Sequence, residues 1–188
     1  MRNFRRLVLG LLLVSLALGL TVFAHANFDL DIDDDGKTEA LTDGLLVIRH
    51  LFGFSGDSLT ANATSKDANR SDAASIEAYL VDNKSSLDVD GDGSVEALTD
   101  GLLIIRELFG FSDDSLITGA VSGSGTRVTG DSVVDYLKTI KDTDDDGYRD
   151  SVDAFVTEAS ERLDTASDGI GDNADPFPSI ASTANPNA

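Results

Sequence analysis

The 188-residue chain carries 34 acidic side chains against 14 lysines and arginines, a formal charge of −20, and it has no cysteine and no tryptophan. An acidic excess of this size excludes a nucleic-acid binder in practice and argues against a partner that is an anionic membrane surface. The missing cysteines exclude disulfide staples and thiol chemistry, and an aromatic content of 6% leaves little for a large core, so small units need another source of cohesion.

At the N-terminus Arg2, Arg5 and Arg6 precede the apolar run "LVLGLLLVSLALGLTVF", and Ala24-His25-Ala26 supplies a small-residue cleavage pattern. Residues 1–26 therefore read as a signal peptide, with a mature chain starting at Asn27. The run is short for a full span, so the expectation is a secreted or cell-surface protein with no membrane span after cleavage. Losing the three arginines deepens the formal charge from −20 to −23.

Beyond it the chain repeats itself. "DIDDDGKTEALTDGLLVIRHLFGFSGDSL", starting at Asp31, aligns without a gap on "DVDGDGSVEALTDGLLIIRELFGFSDDSL", starting at Asp88, at an offset of 57 residues. The register persists to Arg70 on Arg127 and Tyr79-Leu80 on Tyr136-Leu137. This defines two units, 27–87 and 88–141, each read as an acidic loop, a helix, a polar connector and a second helix. In the first helix Leu41, Leu45, Ile48 and Phe52 form an apolar stripe, Thr42 or Asp43 caps the start and Gly53 ends it. Ile76, Tyr79 and Leu80 mark the second helix, answered by Val133, Tyr136, Leu137 and Ile140. Helices this short need packing, expected here across both units.

The acidic loops place carboxylates at alternate positions. A hard cation takes six to eight oxygens from a loop that wraps it, with side chains at positions 1, 3 and 5, glycine at 6 and a carbonyl at 7. Asp31, Asp33, Asp35, Gly36 and Lys37 fill those places in the first unit, and Asp88, Asp90, Asp92, Gly93 and Ser94 in the second. The alternative is a solvated acidic turn before a helix, where carboxylates suit the positive end of the helix dipole. The same spacing before the same helix, twice, favours the cation.

These segments resemble the loop-plus-helix calcium repeat of dockerin domains, a half EF-hand. The resemblance covers both units and is strongest over their first thirty or so residues. It implies Ca²⁺ held by Asp31, Asp33, Asp35 and Asp43, and by Asp88, Asp90, Asp92 and Asp100. Asp43 and Asp100 fall at position 13, where the family has an acid at 12; Thr42 and Thr99 stand at 12. Either the loop has one extra residue, which the following Asp-Gly-Leu-Leu favours, or Glu39 and Glu96 share the closing role. Dockerins bind cohesins through exposed residues late in each loop, often hydroxylated; here that region reads Ala40-Leu41 and Ala97-Leu98.

Residues 142–178 bring a different pattern. "DTDDDGYRDSVDAF" and "DTASDGIGDNADPFP" resemble thrombospondin type 3 repeats. The resemblance implies Ca²⁺ ligands at Asp142, Asp144, Asp146, Asp150 and Asp153 with the Tyr148 carbonyl, and a weaker set at Asp164, Asp168, Asp172 and Asp175, where Ala166 replaces an aspartate. Residues 179–188 read as a disordered tail. The expected architecture is mainly α, two tandem loop–helix–helix units with EF-hand-like calcium loops and then an irregular calcium-loop tail.

An enzyme is not expected. His50 is the only histidine after the signal segment and aligns with Glu107, and no nucleophile elbow or phosphate loop occurs. The expectation is a secreted calcium-binding modular protein, structural or adhesive, with Ca²⁺ as its cofactor. Its partners would be calcium ions and a protein at the cell surface, by self-association or as a dockerin-like module on a cohesin-type scaffold.

Overall fold

The computed structural model describes residues 28–181. The expected signal peptide 1–26 and residues 182–188 of the expected tail lie outside the described residues. The described chain is mainly α, with no strand among those residues. Its helices are α1 (Leu45–Leu51), α2 (Asp57–Thr60), α3 (Ala73–Asp82), α4 (Leu102–Leu108), α5 (Asp113–Ile117) and α6 (Gly130–Leu137). No helix among the described residues is long and apolar enough to cross a membrane.

A π-helical turn leads into each unit's first helix, Ala40–Gly44 before α1 and Ala97–Gly101 before α4. Gly44 N–H reaches back to the Glu39 carbonyl at 3.2 Å, and Gly101 N–H to that of Glu96 at 3.2 Å. A single π turn absorbs one surplus residue without breaking the helix. It also rotates the helix that follows. Leu46 and Val47 are fully buried, whereas Leu41 is 66% and Phe52 54% exposed, so the stripe expected from Leu41, Leu45, Ile48 and Phe52 is not the core face. Leu45 packs on the core only in part.

The helix ends follow local chemistry. Gly53 is left-handed (φ 83°), its N–H bonds the His50 carbonyl at 2.8 Å, and Phe54 N–H bonds that of Arg49 at 3.0 Å. Gly110 and Phe111 repeat the motif. Asp72 accepts from Ser75 N–H at 3.0 Å to open α3, and Thr129 forms a capping box with Ser132 to open α6. The short helices α2 and α5 escape sequence reading because a four- or five-residue turn has no period to detect.

One apolar cluster spans both units. Leu30, Ile32, Ala63, Ile76 and Leu80 are fully buried, and so are their counterparts 57 residues on, Leu87, Val89, Ala120, Val133 and Leu137. Leu30 and Ile32 flank Asp31, so each acidic loop is anchored to the core by its second residue and the residue before it. The units meet where α1 and α4 cross. A Cβ on Gly44 would lie 3.2 Å from the Ile105 side chain and 3.3 Å from Leu108, and one on Gly101 would lie 3.3 Å from Ile48 and Leu51. The pairing of the two units is therefore intramolecular, and glycine at both positions lets the helices approach.

Candidate metal centres

Three groups of aspartates bring carboxylate oxygens within 4.8 Å of one another: Asp31, Asp33 and Asp43; Asp88, Asp90 and Asp100; Asp142, Asp144 and Asp146. In the first group Asp33 and Asp43 are fully buried and Asp31 is 9% exposed. Two ionised carboxylates at that separation repel by about 3 kcal/mol at an effective dielectric near 20.

Asp43 organises its loop. Its Oδ1 accepts from Ile32 N–H at 2.6 Å and Asp33 N–H at 3.3 Å; its Oδ2 accepts from Glu39 N–H at 2.7 Å and the Thr42 hydroxyl at 2.9 Å. Asp100 makes the same four bonds to Val89, Asp90, Glu96 and Thr99. Position 13 thus joins positions 1 and 3, the threonine at 12 donates to it, and Glu39 is not in the group. No side-chain cap hydrogen bond opens α1, because Asp43 is turned to the loop instead.

Asp31 binds its own turn, accepting from Asp35 N–H at 3.1 Å and Gly36 N–H at 2.8 Å, and Asp88 does the same with Asp92 and Gly93. Burial pushes the Asp31 carboxyl up to about 7, against the pull of those N–H groups, and the Asp43 carboxyl up to about 6. Burial likewise raises Asp33, Asp90, Asp142 and Asp144.

The connectors, read from sequence as plain loops, close over the acidic loops. Ser65 N–H donates to Asp33 Oδ2 at 2.6 Å and Ser122 N–H to Asp90 Oδ2 at 2.6 Å. Arg70 stacks on Tyr79 at 3.8 Å and donates to the Ile32 carbonyl at 2.6 Å. Arg127 stacks on Tyr136 at 4.0 Å and donates to the Val89 and Asp88 carbonyls. These residues were missed as parts of the site. The available signal was their exact retention at the 57-residue offset.

The remaining candidates stand apart from the three groups. Asp35 keeps a buried oxygen without a hydrogen-bond partner. Asp92 is half-buried, and bonds from Ser122 and Ser94 hold its carboxyl below the usual range. Lys37, Ser94 and Tyr148, expected to offer carbonyls, occupy the turns after Gly36, Gly93 and Gly147. Asp150 accepts from Thr143 N–H and hydroxyl, both at 2.8 Å, and pairs with Lys141 at 3.5 Å. Asp172 accepts likewise from Thr165 at 2.8 and 2.6 Å, which holds its carboxyl low. Asp153 and Asp175 accept from Phe155 and Phe177 N–H at 2.8 and 2.7 Å. Asp164 accepts from Asp168 N–H at 3.1 Å and Gly169 N–H at 2.8 Å. Asp164, Asp168, Asp172 and Asp175 do not form a gathered group.

Several buried oxygens of these loops have no donor at all: Asp33 Oδ1, Asp35 Oδ1, Asp142 Oδ1, both oxygens of Asp144, and Asp175 Oδ2. A buried carboxylate oxygen left without a partner is costly, and a cation is one group that satisfies it. The fold and these groups define a mainly helical protein with aspartate clusters able to hold metal ions. Compared with protein-family models, curated proteins and solved structures, the chain matches none.

Proposed function

We propose that this chain is a secreted calcium-binding modular protein, structural or adhesive in role and not an enzyme. Its two units are of the dockerin type, with EF-hand-like loops, and its tail is of the thrombospondin type 3 kind. The observation that carries this reading is the set of buried, donorless carboxylate oxygens in the first and third acidic loops, beside the same gathering of aspartates in the second. The groups offer oxygen alone, without nitrogen or sulfur, which suits a hard cation. Calcium is preferred to magnesium because long loops rich in carboxylates meet a high, flexible coordination number.

The physical role is cohesion. A site of dissociation constant near 10 μM in about 1 mM external calcium adds about 2.7 kcal/mol. Three such sites supply what disulfides give other small secreted domains. The test is calorimetric titration of the chelated chain from Asn27 onward, with circular dichroism followed together. Three or more calcium ions bound with a gain of helix support the reading. A chain already helical and indifferent to calcium removes it.

A second reading, a dockerin-like module on a cohesin-type scaffold, is favoured by one feature. Leu41, Phe52 and Phe54 are exposed, and so are their counterparts Leu98, Phe109 and Phe111, giving two matched apolar sets. Calcium-dependent capture of a purified cohesin, lost in Leu41→Ser and Leu98→Ser together, would favour it over adhesion.

A further inference from the structure

We propose that the third acidic loop (142–153) is the docked partner of the first (31–43), so that their cation sites fill as a coupled pair while the second loop (88–100) fills on its own. This rests on the reading of these loops as cation sites.

The joint is built from both ends of the two-unit module. Leu30 N–H donates to the Ile140 carbonyl at 2.9 Å, which fixes the residue before the first loop to the residues just before the third. The Asp29 carboxylate pairs with Arg149, inside the third loop, and both side chains are mostly buried. Tyr79 holds Asp29 from the other side: its hydroxyl accepts from Asp29 N–H at 2.8 Å and donates to the Asp29 carbonyl at 3.0 Å. The same ring carries Arg70, which grips the first loop through the Ile32 carbonyl. A continuous chain of bonds therefore runs from Arg149 to the backbone of the first loop.

The two loops also face each other. A cleft of about 520 Å³ lies between them, with Asp31 and Asp34 on one wall and Asp142 and Asp145 on the other. A Cβ on Gly36 would meet Asp145 Oδ2 at 3.2 Å. The second loop keeps the same brace, Tyr136 to the Ser86 carbonyl at 2.9 Å and Arg127 to that of Val89 at 2.6 Å, but it lacks the facing loop. Gly93, the counterpart of Gly36, faces nothing within 4 Å, and Ser86 stands where the first unit has Asp29, with no charge for an arginine. The third loop does touch the second unit, but through Asp150, which pairs with Lys141 at 3.5 Å, and through Ser151 N–H, which donates to the Lys138 carbonyl at 3.2 Å, away from residues 88–100.

Coupling follows from two causes acting in one direction. Carboxylates facing across the cleft repel, so a divalent ion in either loop lowers the charge opposing the other. Ordering of the third loop also fixes Arg149, and through Asp29 the entry to the first loop. By linkage the help is reciprocal.

The test uses the full mature chain and resolves the loops by nuclear magnetic resonance. Gly36, Gly93 and Gly147 each donate an N–H to their own loop's first aspartate, at 2.8, 3.1 and 2.9 Å, and report the three loops separately. Calcium is titrated into the native chain, Asp144→Asn, Arg149→Ala and the double variant. With the third loop disabled by Asp144→Asn, the Gly36 midpoint is expected to rise about fivefold or more while the Gly93 midpoint stays put. Arg149→Ala alone raises the Gly36 midpoint in the same direction. In the double variant Asp144→Asn adds less to the Gly36 midpoint than it does in the native chain. Equal shifts at Gly36 and Gly93, or none at either, overturn the coupling while leaving the cation sites standing. A chain in which none of the three glycines responds to calcium overturns the cation reading itself, and the coupling with it.

Discussion

Asp43→Ala, set against Thr42→Ala, tests where the first loop closes. Asp43 is fully buried and accepts four hydrogen bonds, two of them from the buried backbone of Ile32 and Asp33. Truncation orphans those two donors and the partly buried Glu39 N–H, at about 1–3 kcal/mol each for the buried ones. The loss is then about 3–5 kcal/mol. At pH 8, above folded values of about 6 for Asp43 and about 7 for Asp31, the wild-type carboxylates are ionised and repel. Removing Asp43 relieves up to about 3 kcal/mol per neighbour. In chelator the two effects nearly cancel. Calcium reverses the repulsion, so the full loss should appear only with calcium present. Thr42→Ala removes one hydroxyl donor to Asp43 and should cost about 0.5–1.5 kcal/mol in either condition. Urea unfolding followed by circular dichroism, in chelator and in calcium, measures all four values. A larger calcium-state loss for Thr42→Ala, or an Asp43→Ala loss no greater in calcium than in chelator, would refute the reasoning.

Other outcomes follow from the same geometry. Asp31 and Asp43 have folded values raised above the unfolded one near 3.8, so their contribution to the metal-free fold is present below about pH 4 and is lost as pH rises through about 6 to 7. Calcium affinity at the first loop should run the opposite way, falling as pH drops below about 7, with calorimetry in buffers of differing ionisation enthalpy counting the protons released. At the crossing of α1 and α4, Gly101→Ala gains about 1 kcal/mol of helix propensity against tight contacts at 3.3 Å with Ile48 Cγ1 and Leu51 Cδ1, and should be near neutral. Gly101→Val forfeits most of that gain and overpacks, and should cost about 1–3 kcal/mol by urea denaturation. Tyr79→Phe removes both bonds to Asp29 and should cost about 1–2 kcal/mol, with faster amide exchange at Asp29 as the local sign.

Much of this protein is written locally. The 57-residue offset, the alternate aspartates with a glycine sixth, and the left-handed Gly53 and Gly110 are properties of short stretches, set by steric freedom at glycine and by the charge pattern. The mainly helical class follows from the same stretches. Which face of α1 is buried does not. The π turn at Ala40–Gly44 rotates Leu46 and Val47 inward and leaves Leu41 and Phe52 outside, and periodicity counted from Leu41 cannot register that turn. The partners of the aspartates were equally hidden. Ser65 reaches Asp33 across 32 residues, Tyr79 reaches Asp29 across 50 and Arg149 reaches the same Asp29 across 120. Such contacts exist only once the core has closed, because their free energy depends on burial and mutual orientation that no local segment supplies. The carboxylates and their spacing can be read along the chain before it folds. Which of them meet, which are held by threonine, serine or lysine, and which loop faces which follow only from the packed chain.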